Sequence, residues 1–209
     1  HSPTTPFGRK VMVLLVETGQ AGEVEVVSTS GTPIDPGTQP LDVNPLGKIP
    51  ALALDDGTAL YDSRVICRYL DDRARAGLYP ESPRLWRTLT LEATADGILE
   101  AAVLMVYEGR LRPEEIRFAP WVEGQWAKIA RALDLMESRW QDHLSGPLDM
   151  GQIALGCERL HGRDGSRREI VQVDARHACG GVSFRCGARQ HFGDDGERMR
   201  GAFVDVARI

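Results

Sequence analysis

The stretch Asn44–Leu70, NPLGKIPALALDDGTALYDSRVICRYL, decides how the rest of the chain is read. In its centre two apolar runs, Ile49–Leu54 and Ala59–Tyr61, flank Asp55-Asp56-Gly57. Asp-Gly between apolar runs predicts a β-hairpin, because Gly57 can take the positive φ that such a turn requires. Directly behind it, Asp62 or Ser63 is suited to capping a helix that runs to about Arg75, with Val65, Ile66, Tyr69 and Leu70 on one face. Gly77 and Pro80 end that helix.

Working towards the N-terminus, residues 29–47 are rich in Ser, Thr, Gly, Pro and Asp and read mostly as loop. Val24–Val27 (VEVV) is a short β-branched run and predicts a strand. Before it, Val11–Glu17 (VMVLLVE) continues from Pro6 and Phe7. Pro at a first helical position and Gly19 beyond the end favour a helix, although the run alone fits a buried strand equally well. The first 76 residues therefore form a small α/β unit.

Towards the C-terminus the period changes after Pro80. Leu89, Leu91, Ala95, Ile98, Leu99, Ala102, Val103 and Val106 recur at near-helical spacing within Leu85–Arg110. Pro113–Leu144 carries a similar pattern, with Trp121, Trp126, Ile129, Leu133, Met136 and Trp140, so a helical hairpin is expected. Asp149-Met-Gly-Gln152 fits a capping box, and Ile153, Ala154 and Leu155 would open a buried third helix. The helical domain is thus expected over 84–209, but its texture breaks near Cys157. Residues 157–209 hold ten arginines, no lysine and one leucine, Leu160. An Arg/Gly-rich, Lys-free stretch of this kind resembles out-of-frame translation of GC-rich DNA, and a frame-shifted or divergent end is the expectation for it.

A net charge of −5 and a pI of about 5.6 give no reason to expect a nucleic-acid or anionic-membrane partner. No apolar run reaches the roughly 18–20 residues of a membrane span. The opening HSPTTPFGRK lacks the apolar core of a secretory signal, so a cytoplasmic protein is expected. Cys67, Cys157, Cys179 and Cys186 are irregularly spaced, which argues against a disulfide scaffold. The spacing of His177, Cys179, Cys186 and His191 matches no standard zinc pair, and no metal is expected.

Three segments together resemble soluble bacterial glutathione transferases of the hydroxyl type, theta- or omega-like: SPTTPFGRKV at residues 2–11, NPLGKIPAL at 44–52 and LYDSRVICRYL at 60–70. With the two helices that follow, the resemblance covers about residues 1–156. It implies a thioredoxin-like N-terminal domain, its first strand missing or truncated here, and an all-α C-terminal domain. It implies glutathione as co-substrate, a small electrophile as second substrate and a homodimer. The activity implied is conjugation through an activated thiol; a non-catalytic glutathione-binding protein and a glutathione-dependent isomerase or dehalogenase are the alternatives.

The resemblance also assigns roles. Ile49-Pro50 resembles the family's cis-proline turn, in which Ile49 presents its backbone to the cysteinyl part of the peptide; taken alone it favours a trans proline starting a strand, and the flanking motifs reverse that. Ser63 would hold the γ-glutamyl carboxylate at a helix N-terminus, and Asp62 the ammonium. Lys48 would pair with the glycyl carboxylate, or else be a solvated loop lysine. Phe7 belongs to the same binding set. A hydroxyl from Thr5, Ser2 or Thr4, in that order, would donate to the thiolate, and the same threonines are suited to capping the helix. Arg9 and Lys10 resemble the family's RK pair and read equally as solvated helix charges. Tyr107, Arg110 and Trp121 would line an apolar cleft or belong to the core.

Overall fold

A computed structural model describes residues 5–157 and the backbone of residues 206–208. The chain divides into two compact units, which part between Ser82 and Pro83.

In the first unit, α1 spans Pro6–Glu17 and is followed by β1, Glu25–Val27. Pro6 at the first helical position costs no hydrogen bond, since that N–H lacks a helical acceptor in any case. The hairpin forms as the sequence predicts: β2 (Ala51–Ala53) pairs antiparallel with β3 (Ala59–Leu60), and Gly57 closes the turn at φ 87°. Then α2 runs Ser63–Ala74 with Asp62 as its cap. Val11, Leu14 and Leu15 of α1, Leu52 of β2, and Ile66, Cys67 and Leu70 of α2 make the core. The buried Gln20 side chain ties the two helices by donating to the Leu70 carbonyl at 2.9 Å.

The sheet order is β1-β4-β2-β3, where β4 is Val206–Arg208. Among the described residues no strand precedes α1. The place between β1 and β2 is taken by β4, antiparallel to β1 and parallel to β2. The last strand thus lies in the sheet of the first unit, whereas the texture of the sequence assigns the whole of 84–209 to the helices.

The second unit is helical. The long α3 spans Arg84–Leu111 and packs against α4, Ala119–Arg139, and α6, Met150–Gly156, with the short α5 at Gln141–Leu144. Leu91, Ile98, Ala101, Ile129, Met136, Leu144 and Leu155 are its centre. The expected helix over Pro113–Leu144 is in fact three pieces: a 3-10 turn at Glu114–Ile116, then α4, then α5. Pro120 in the first turn of α4 defines its start, because a proline there lacks only an N–H that has no helical acceptor. The buried carboxylate of Glu108 fastens the turn by accepting from the Phe118 N–H at 2.9 Å and from Arg112 Nε at 2.8 Å.

The capping box at α6 is present in full. Asp149 Oδ1 accepts from the Gln152 N–H at 3.1 Å, and Gln152 Oε1 accepts from the Asp149 N–H at 2.7 Å. The other carboxylate oxygen of Asp149 accepts from Thr88 Oγ1 at 2.8 Å and from Arg84 at 3.2 Å, which joins α6 to α3. Gly151 is required at this crossing: a Cβ there would lie 2.8 Å from the Thr88 carbonyl oxygen. Among the described residues no helix is long and apolar enough to cross a membrane.

Candidate functional site

The hairpin brings two of the three motifs together. Its register pairs Leu52 with Leu60 and Ala53 with Ala59. Pro50 immediately precedes β2 and Asp62 follows the end of β3 by two residues, so both leave the same end of the hairpin. The proline turn and the N-terminus of α2 therefore both lie at the open end of the hairpin. The Ile49–Pro50 peptide bond is cis, as is Tyr61–Asp62. Ile49 is half-buried, Pro50 buried and Lys48 exposed.

Asn44 shapes the loop that leads into this turn. Its buried side chain donates from Nδ2 to the Lys48 carbonyl at 2.7 Å and accepts from the Leu46 N–H at 3.1 Å. Gly47 meets the bend with φ 57°. Asn44 is the first residue of the NPLGKIP motif. An Asn two residues before an N–H it can cap is the available signal.

At α2, Asp62 is extended (φ −85°, ψ −161°), and its carboxylate turns back to accept from the Arg64 N–H at 3.0 Å. The Arg64 guanidinium also pairs with Asp62, at 2.8 Å, and both side chains are about half exposed, 51% and 52%. Partial burial raises the Asp62 pKa, but the hydrogen bonds from the Arg64 side chain and backbone, with the charges of Arg64 and Lys10, outweigh it. The carboxyl titrates below its ordinary value. Ser63, first residue of α2, is buried beside it.

Thr5 is the N-cap residue of α1 and is 6% exposed, yet its side chain makes no capping hydrogen bond. The reason is the orientation of the side chain. A capping hydroxyl points at the backbone of the third helical residue, here Gly8. That direction is taken by the Thr5 methyl, since a Cβ on Gly8 would lie 2.7 Å from Thr5 Cγ2. The capping role expected of Thr5 is therefore not the one its hydroxyl plays. Phe7 is half-buried in the same turn. Ser2 and Thr4 lie outside the described residues.

Lys10 departs from its reading as a solvated charge: it is wholly buried, at 0% exposure. The signal was in the periodicity. Lys10, Val11, Leu14 and Leu15 form one i, i+4 stripe, and that stripe is the buried face of α1. In the helical unit Tyr107 is half-buried, and burial raises its pKa against the lowering charge of Arg110. Trp121, 45% exposed, is not a core residue. Among the described residues no group of three or more His, Cys, Asp or Glu is arranged to hold a metal; His177, Cys179, Cys186 and His191 lie outside them.

The family model for the N-terminal domain of glutathione S-transferase matches residues 4–73. The uncharacterized GST-like protein YibF of Escherichia coli (strain K12) is 31% identical over 160 residues, 75% of this chain and 77% of that protein. The chain belongs to the glutathione S-transferase family. A crystal structure of a glutathione transferase family member from Pseudomonas fluorescens Pf-5, with bound glutathione, is 45% identical with a TM-score of 0.73. It matches over 75% of this chain and 78% of that one. A second structure from the same organism holds S-(propanoic acid)-glutathione, at 45% identity and a TM-score of 0.68, over 75% and 77% of the two chains. The architecture is accordingly that of the transferases, a thioredoxin-like N-terminal domain followed by an all-α domain.

Proposed function

We propose that the chain is a glutathione S-transferase that binds glutathione in its first unit and conjugates it to a small electrophile. The observation that carries this reading is that Ile49–Pro50, with its cis peptide bond, and Asp62–Ser63 leave the same, open end of the hairpin. An extended tripeptide can pair with the Ile49 backbone on one side and present its γ-glutamyl group to the start of α2 on the other. Ser63 and the free N–H groups of α2 receive the carboxylate, and Asp62 receives the ammonium. Arg64 now occupies Asp62, so the incoming ammonium shares or displaces that exposed pair. Lys48 is free to reach the glycyl carboxylate. The bound glutathione in the Pseudomonas fluorescens relative supports the same ligand here.

Activation of the thiol falls to Thr5. Its hydroxyl is not consumed by the helix cap and can donate to the thiolate. A hydrogen bond to a charged group is worth about 1.5–3 kcal/mol, which lowers a thiol pKa by roughly one to two units. The thiolate then attacks an electrophilic carbon, and its leaving group departs with the displaced electron pair. No protein nucleophile or general base is needed.

Retention on immobilised glutathione, followed by a conjugation assay with a generic electrophile, tests this. Retention with turnover supports the transferase. Retention without turnover leaves a glutathione-binding protein, and turnover only of halogenated or isomerisable substrates points to a dehalogenase or isomerase. Failure to bind overturns the reading altogether.

A further inference from the structure

Between β1 and the NPLGKIP motif the chain closes a loop on itself. The Thr38 N–H donates to the Ser30 carbonyl at 2.8 Å, and the Ser30 N–H donates to Thr38 Oγ1 at 3.0 Å. Gln39 follows directly, and its side-chain amide lies between two glycines. A Cβ on Gly31 would fall 2.8 Å from the amide carbon and 2.9 Å from Nε2, and a Cβ on Gly47 would fall 3.1 Å from Oε1. The amide fits because neither neighbour carries a Cβ. It thereby joins the loop to the bend at Gly47 (φ 57°), one residue before Lys48 and two before the cis Ile49–Pro50 bond. Oε1 is buried and has no hydrogen-bond donor among the described residues. A buried carbonyl without a donor costs free energy that an apolar side chain of the same shape avoids, so packing alone does not account for an amide here.

We propose that Gln39 is a positioning residue for the glycyl end of bound glutathione: its carbonyl accepts the Lys48 N–H as the peptide seats, and fixes the bend from which the Lys48 side chain reaches the glycyl carboxylate. The inference rests on the glutathione reading given above and deepens it. The donor follows from the local bonding. The Gly47 N–H is committed to the Asn44 carbonyl at 2.9 Å, and the next donor along the chain is the Lys48 N–H. Asn44 Nδ2 already holds the Lys48 carbonyl at 2.7 Å. Gln39 would hold the same residue by its N–H, so that both ends of Lys48 are fixed. An exposed lysine on a loose bend loses backbone and rotamer freedom when it engages a ligand, and a bend fixed beforehand reduces that loss. Because Gln39 acts through Lys48, it favours a peptide that carries the glycyl carboxylate and is indifferent to one that lacks it.

The test is calorimetric titration with glutathione and with γ-glutamylcysteine, which lacks the glycine, in wild type, Gln39→Met, Lys48→Met and the double variant. Methionine keeps the length of the side chain and removes the acceptor. Gln39→Met should weaken glutathione roughly threefold to tenfold, the range of one neutral hydrogen bond, and leave γ-glutamylcysteine within about twofold. In the Lys48→Met background the same substitution should have little further effect on glutathione, since the residue it acts through is gone. A purely structural glutamine would weaken both peptides alike, and that outcome overturns the proposal. So does an unchanged affinity for glutathione, or a loss that persists in full without Lys48. If Gln39→Met does not fold, Gln39→Asn, which draws the carbonyl back by one methylene, replaces it. Failure of both to fold also overturns the proposal, because the amide would then serve the fold. Wild type that binds neither peptide removes the parent reading; wild type that binds glutathione no more tightly than γ-glutamylcysteine removes this inference alone.

Discussion

Thr5 and Gly8 act as a pair, and their substitutions separate chemistry from packing. Thr5→Ala should lower kcat/KM for conjugation by about tenfold to a hundredfold, because a hydrogen bond to the thiolate worth about 1.5–3 kcal/mol is lost. Thr5→Ser should recover most of it. Steady-state kinetics at several pH values decide the matter, and an alanine variant with full activity would transfer the role to Ser2. Gly8→Ala drives a new methyl to within 2.7 Å of Thr5 Cγ2. Overpacking of this kind costs about 1–3 kcal/mol, and the Thr5 rotamer must turn to relieve it. Denaturant unfolding should show the loss of stability, and the same variant should show altered turnover.

Elements in the helical unit are fastened by buried carboxylates. Asp149→Ala removes both the cap of α6 and the acceptor for Thr88 and Arg84. Loss of a cap costs about 1 kcal/mol and each stranded buried donor about 1–3 kcal/mol, so a loss of roughly 2–5 kcal/mol is expected in chemical denaturation. Thr88→Val should reproduce only part of it. Glu108 gives a pH prediction. The Phe118 N–H lowers its pKa most; burial opposes this, and the Arg112 hydrogen bond and charge add to the lowering. A carboxyl with a depressed folded-state pKa binds fewer protons folded than unfolded. Its contribution is therefore complete above the ordinary value of 4.5 and is lost as the pH falls through the folded-state value. In Glu108→Gln the thermal midpoint should be lower at neutral pH, and its fall with acid should be shallower than in wild type. Identical acid dependence in the two proteins would remove Glu108 from this account.

For the molecule as a whole, ligand linkage reports on the first unit. Glutathione at a hundred times its Kd should add about 2.7 kcal/mol to the stability of whatever it binds. Hydrogen exchange should show that gain in α1, β2 and α2, and protection confined to other segments would contradict the proposed site. Asp62→Asn should diminish the protection by weakening the peptide's hold.

Local patterns were enough for most elements. Asp55-Asp56-Gly57 announces its hairpin, Asp149 and Gln152 their capping box, and the apolar stripe of 85–110 its helix, because each is a short-range rule of turn, cap or period. The helix over 113–144 was misread, since apolar spacing alone does not mark the start at Pro120 that a carboxylate from α3 secures. The candidate ligand residues were legible from motif order. Their common place at the open end of the hairpin follows from the pairing of β2 with β3. The orientation of Thr5 was not legible, because it depends on whether its methyl or its hydroxyl faces Gly8. The insertion of β4 between β1 and β2 had no local signal at all, because strand partners far apart in the chain are chosen by the sheet. Lys10 shows the division most clearly. Its place on the apolar stripe of α1 was written in the chain, but its complete burial came only from the packing of α1 in the folded unit.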